Sequence, residues 1–278
     1  MADGVTQIRR SVLTLALPVT VSSLLQRTEG IVAVFLVGGL GAEPIAAVGL
    51  GQLLAFIATT LVSGISVGAN VIIAQMWGAR RHRDVAQAAG HFLWLSVAVS
   101  LLLTGSGLLL NGRAMGLLGV EPDVIRLALP YSTLVFLVIP FSVLLQVLSA
   151  ILQGTGDTRT PMYAMIGVNL IHVALAYPLI YGRCDFPTMG IKGAAMAAGC
   201  PEAIGTAYLL MRCRRLLCGA KRLRPEFLRT LWRVGLRVSG ERIVQQAGIL
   251  VYTKIVLIYG TVAYAAHQVG LSIESLSF

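Results

Sequence analysis

The chain has 278 residues, with 22 Lys and Arg against 12 Asp and Glu, for a formal net charge of +10. Hydrophobic residues make up 56% and charged residues 12%, with a mean hydropathy of +0.80, where a soluble domain carries about 25% charged residues. Charge is too sparse for an ordinary wet surface. A soluble enzyme, a disordered tail and a nucleic-acid binder are excluded as first readings, and an integral membrane protein is expected.

A membrane-spanning helix needs roughly 20 mostly apolar residues. Taken in chain order, such stretches fall near 12–39, 45–76, 86–110, 127–153, 162–182, 193–211 and 234–259, and an eighth begins at 264. The first is too long for a signal peptide and has no small-residue cleavage site, so it is expected to stay as a helix. Alternate connections differ in charge. One set holds Arg9, Arg10, Arg80, Arg81, Arg83, Arg159, Arg212, Arg214, Arg215, Lys221, Arg222, Arg224 and Arg229. The other holds only Arg113, Arg126, Arg183 and Lys192. The positive-inside rule puts the first set, and the N-terminus, in the cytoplasm, with attraction to anionic membrane lipid as a further consequence.

The connections are short. Gly39–Pro44 and Gly154–Pro161 read as tight turns, the second opening a helix at Pro161. The Arg-rich segment 212–229 is the one distinctive linker, and it divides the chain into a six-helix unit at 1–211 and an incomplete second unit at 230–278. Shifted by 219 positions, residues 10–52 match 229–271 without a gap, with identities that include Gln26/Gln245, Gly41/Gly260, Ala46/Ala265, Ala47/Ala266 and Gly51/Gly270. Six spans between the copies preserve orientation, which implies two parallel halves. The second copy stops at Phe278 within its second helix, so the sequence reads as a fragment of a longer chain. The four cysteines lack zinc or redox spacing and read as lipid-facing or packing residues.

Several segments together resemble one family, the multidrug and toxic compound extrusion (MATE) transporters. Phe35–Leu50 (FLVGGLGAEPIAAVGL) resembles the end of its first helix, and Gly154–Met162 (GTGDTRTPM) the turn after its fourth. Tyr177–Gly182 (YPLIYG) and Gly190–Ala195 (GIKGAA) resemble the end of its fifth helix and the start of its sixth, and Gly260–Gln268 its seventh-to-eighth turn. The resemblance implies an all-α, polytopic membrane protein. This chain would supply a six-helix N-lobe, helix seven and the start of helix eight of a two-lobed, twelve-helix transporter. It further implies a secondary active antiporter, not an enzyme, in the plasma membrane of a bacterium. Such a protein exports cationic or amphipathic small molecules in exchange for sodium ions or protons, needs no cofactor, and is a monomer when full length.

An ionisable residue inside a span is a functional candidate. Glu29, in the first span, reads either as a cation or proton carboxylate facing a cavity or as a structural carboxylate paired to another helix. The resembled family often has an aspartate at the position of Ala33, one turn later, which this chain lacks. Arg229, Arg233, Arg237, Glu241 and Gln245 form one stripe on the seventh span, and Glu241 is the second coupling candidate, with an Arg237–Glu241 pair as the alternative. Gln26, Asn169, His172 and Gln245 are candidates for the substrate cavity, and Gln146 and Gln153 either line it or bond neighbouring helices. Glu202 has no counterpart in the resemblance. Gly64–Gly68 matches the nucleophile-elbow pattern G-x-S-x-G, but within an apolar helix it reads as a helix-packing face. Three other readings stay open: a flippase for lipid-linked saccharides, which requires a cationic cavity; an intramembrane protease pairing Ser66 with His172; and an inactive fragment.

Overall fold

The computed structural model describes residues 2–183, 187–217, 240 and 244–274. They form helices α1 (Ala2–Gly38), α2 (Ala42–Gly78), α3 (His82–Leu118), α4 (Pro122–Gly154), α5 (Arg159–Tyr181), α6 (Ile191–Leu217), α7 (Val244–Ile258) and α8 (Thr261–Glu274). Helices satisfy their own backbone hydrogen bonds, as the bilayer interior requires of any spanning segment. Five stretches, in α1 to α5, are long and apolar enough to cross a membrane. The two sets of basic residues sort to opposite ends of the bundle. Arg80, Arg81, Arg159, Arg212 and Arg214 lie at one end, and Arg113, Arg126, Arg183 and Lys192 at the other. Residues 212–217 continue α6 as helix; the linker from 218 on, and Arg229, Arg233, Arg237 and Glu241 of the polar stripe, lie outside the described residues.

The core lies inside the first six helices, where α2 packs along α4, and α6 against α4 and α5. Near the end bearing the 39–41 turn, Val37, Ala46, Ala47, Leu50, Met115, Ala128, Ile180 and Ala194 are sealed together. Near the other end a second cluster joins Ala69, Ile73, Ala88, Phe92, Val147 and Ile151. Lipid is as apolar as leucine, so such association depends on close fit between helices. Gly193 shows this at the α5–α6 contact. A methyl group there would stand 2.3 Å from the Leu179 carbonyl oxygen, so only glycine admits the approach.

The internal repeat is visible in the turns. Gly41 and Gly260 both take positive φ, 118° and 94°, a region that favours glycine. Around Gly41, the Leu40 amide donates to Val37, the Gly41 amide to Gly38, and the Ile45 amide to Gly41. The same three bonds recur as Tyr259 to Val256, Gly260 to Leu257, and Tyr264 to Gly260. Each partner is displaced by the 219 positions found in the sequence. The 154–161 turn is equally specified by its residues: Gly156 takes φ 89°, and Asp157 accepts from the Thr160 amide and hydroxyl at 3.0 and 2.6 Å to start α5. Of the cysteines, Cys213 is buried and Cys200 is exposed; Cys184 and Cys218 lie outside the described residues.

Gly193→Ala is expected to lower the stability of the detergent-solubilised protein by about 1–3 kcal/mol, the usual cost of overpacking. Gly167→Ala, where a methyl group meets nothing within 4 Å, is expected to be neutral or stabilising. Thermal unfolding of the two variants side by side measures the difference.

Candidate functional site

A cavity of about 300 Å³ opens between α1, α2, α4 and α5, in the half of the bundle that ends at Arg80, Arg81 and Arg159. α1 supplies Ser22, Ser23 and Gln26; α2 supplies Ser66 and Asn70; α4 supplies Gln146, Ser149 and Gln153. Val19, Val67, Leu145 and Met165 complete an apolar part of the wall. The site is thus polar yet uncharged among the described residues. Several hydroxyls are bonded to their own helix: Ser22 to the Pro18 carbonyl, Ser23 to Val19 and Ser149 to Leu145. Ser66 instead donates across the helix pair to Gln146 Oε1 at 3.2 Å, which ties α2 to α4 at the cavity wall.

The fold therefore gathers the three glutamines Gln26, Gln146 and Gln153 at one site. Ser66 lies between buried Gly64 and Gly68 on an unbroken α2, so the G-x-S-x-G residues are no nucleophile elbow. His172 is 1% exposed with neither ring nitrogen hydrogen-bonded, so the Ser66–His172 pair required of a protease does not form. Asn169 is also buried, and its Nδ2 donates to the Met165 carbonyl of its own helix at 3.0 Å. Neither Asn169 nor His172 lines the cavity. Gln245 is exposed on α7, while its neighbour Gln246 reaches Thr60 of α2 at 3.3 Å. Glu241 lies outside the described residues.

Glu29 follows Gln26 by three positions, which places it on the same face of α1, one turn beyond the cavity wall. Its Oε1 is enclosed and has no hydrogen-bond partner among the described residues. Sequence reasoning gave Glu202 of α6 no role; in the fold it accepts a hydrogen bond from Ser142 of α4. The available signal was simply a second carboxylate within an apolar span.

A bundle of long helices, glycine-closed turns and an uncharged polar cavity defines an all-α polytopic membrane protein of transporter type. The MatE family model matches residues 18–178, and the chain belongs to that family, whose members are transporters rather than enzymes. It is 29% identical over 281 residues to "Probable multidrug resistance protein NorM" of Thermotoga maritima, covering 99% of this chain and 61% of that protein. It is 26% identical to "Multidrug resistance protein MdtK" of Yersinia enterocolitica, covering 97% and 61%. The chain thus spans about three fifths of the length of these relatives. Among solved structures, "Crystal structure of MATE in the bent conformation" superposes with a TM-score of 0.81 at 22% identity, covering 97% of this chain and 64% of that one. An inward-facing MATE family transporter gives 0.78 at 23%, covering 96% and 63%. At these identities the superpositions establish the fold.

Gln146→Leu removes the acceptor of the Ser66 hydroxyl. The expected loss of stability is about 0.6 kcal/mol, the mean for interhelical hydrogen bonds in a bilayer, read by thermal unfolding and smaller than that of Gly193→Ala.

Proposed function

We propose that the protein acts as a secondary active antiporter that exports cationic or amphipathic small molecules in exchange for protons or sodium ions. The observation that carries this reading is the adjacency on α1 of the polar cavity at Gln26 and the enclosed carboxylate of Glu29. A substrate and a coupling cation would then occupy neighbouring positions on one helix. Each could bias the same rocking of helices, which is what exchange requires. Relatives named for multidrug resistance support the substrate class. An uncharged cavity lined by serine, asparagine, glutamine and valine suits amphipathic compounds. Among the described residues its wall has no guanidinium or ammonium group of the kind a pyrophosphate-linked saccharide would demand, so the flippase reading gains no support from it. Glu241 is proposed as the corresponding carboxylate of the second unit, with Gln245 beside it, on the grounds of the sequence repeat.

The membrane proposed is a bacterial inner membrane. The end carrying Arg80, Arg81 and Arg159 faces the cytoplasm with the N-terminus, so the cavity lies in the cytoplasmic half of the bundle. In a cysteine-free background, a cysteine at Arg81 is expected to react with an impermeant maleimide only after cells are opened, and one at Glu121 in intact cells. The reverse pattern contradicts the orientation.

The function itself is tested in proteoliposomes loaded with a fluorescent organic cation, with a proton or sodium gradient imposed. Glu29→Gln is expected to reduce gradient-driven dye efflux at least tenfold at equal protein content. Efflux at the wild-type rate removes Glu29 from coupling.

A further inference from the structure

We infer that a hollow between the α4–α5 turn and the end of α6 binds a phospholipid whose headgroup carries both a phosphodiester and a primary ammonium group, a phosphatidylethanolamine. The hollow has a volume of about 560 Å³ and is lined by Leu152 and Asp157 on one side and by Tyr208, Met211, Arg212 and Arg214 of α6 on the other. Its walls are held in place by packing. Cys213, between the two arginines, is buried in one cluster with Leu152 and Leu209. Leu216 and Leu217 pack against the cluster that contains Ile73 and Val85. The arginines therefore stand on a docked helix end, while both remain exposed.

Opposite charges line this hollow without meeting. Among the described residues no ion pair joins Asp157 to Arg212 or Arg214. Asp157 is instead positioned by the start of α5, where its Oδ1 accepts from the Thr160 amide at 3.0 Å and its Oδ2 from the Thr160 hydroxyl at 2.6 Å. A carboxylate has about four acceptor sites, so each oxygen keeps capacity for another donor. Guanidinium groups only donate, and their planar fork matches phosphate oxygens. A ligand that satisfies both signs needs an anion for the arginines and, a short link away, a cation with N–H bonds for the carboxylate. The ethanolamine phosphodiester has both. A purely anionic headgroup leaves Asp157 facing a like charge, and a choline headgroup has no N–H to donate. The surroundings select a lipid over a soluble zwitterion. Ile204, Tyr208 and Met211 share one face of α6 at helical spacing, and Ile204 and Met211 are exposed, so an apolar track leads from the hollow toward the bilayer interior. The hollow also lies at the end of the bundle that carries Arg80, Arg81 and Arg159, where basic residues meet lipid headgroups. None of this depends on the antiport reading.

The test is native mass spectrometry of the detergent-purified full chain, with phosphatidylethanolamine, phosphatidylcholine, phosphatidylglycerol or free phosphoethanolamine added in separate runs at equal concentration. The wild type is expected to retain phosphatidylethanolamine several-fold more than any of the others. Arg212→Gln and Arg214→Gln should each lower that retention about fivefold, the effect of one basic residue near a lipid surface. Asp157→Asn keeps an acceptor for the Thr160 amide and is expected to abolish the preference for phosphatidylethanolamine over phosphatidylglycerol while leaving phosphatidylglycerol bound. Thermal unfolding without added lipid checks that each variant is folded, and the two arginine variants, altered at exposed positions, stand in for one another if either is not. Equal retention of phosphatidylethanolamine and phosphatidylcholine overturns the proposal. So does a preference for phosphatidylglycerol that Asp157→Asn leaves unchanged, which reduces the hollow to a basic patch. Retention of free phosphoethanolamine equal to that of the lipid assigns the hollow to a soluble ligand and overturns it as a lipid site.

Discussion

The bilayer withholds water from every polar group in the interior of this protein, and the structure follows from how those groups are satisfied. Backbone groups are answered within helices. Most hydroxyls are answered by the carbonyl three or four residues earlier, as at Thr20, Ser22, Thr133 and Ser149. Others reach between helices, and five of them involve α4: Ser66 to Gln146, Thr104 to the Phe136 carbonyl, Asn111 to Ser132, Ser142 to Glu202 and Thr206 to the Phe141 carbonyl. Tyr181 of α5 to the Leu36 carbonyl and Gln246 of α7 to Thr60 bypass it, so α4 carries most of the polar ties between helices described here.

Close packing brings these ties within reach. α4 carries two internal prolines, Pro130 and Pro140, and its contacts with α2 close in at glycine. A methyl group on Gly51 would lie 2.5 Å from the Tyr131 ring, and one on Gly154 would lie 2.9 Å from the Asn70 carbonyl oxygen. At the end bearing the 39–41 and 259–260 turns, Tyr264 of α8 joins the same buried cluster as Val37 and Ala47. Cavities lie in both halves of the bundle, the polar one among α1, α2, α4 and α5 and a more apolar one beside Gly39 and Tyr181.

Much of the fold was legible in the sequence because each signal is local. Long apolar runs give helices, positive-φ glycines give turns, and the shift of 219 positions reappears in three matching backbone bonds around Gly41 and Gly260. The cavity was legible in part. Gln26, Gln146 and Gln153 were candidates individually, and their meeting depends on how α1 and α4 pack. Asn169 and His172 carried the same kind of signal and are buried away from the cavity, since periodicity gives a helix face without saying what that face meets. Glu202 was the residue whose role the sequence did not reveal. Its hydrogen-bond partner Ser142 lies on another helix, and no spacing rule links α6 to α4.

The central claim is that substrate and ion movements are coupled through this unit. It is tested most directly by counterflow in proteoliposomes with no ion gradient imposed. A gradient of organic cation alone should then drive protons or sodium ions in the opposite direction, in proportion to the dye moved. Dye movement with no accompanying ion flux would contradict the account.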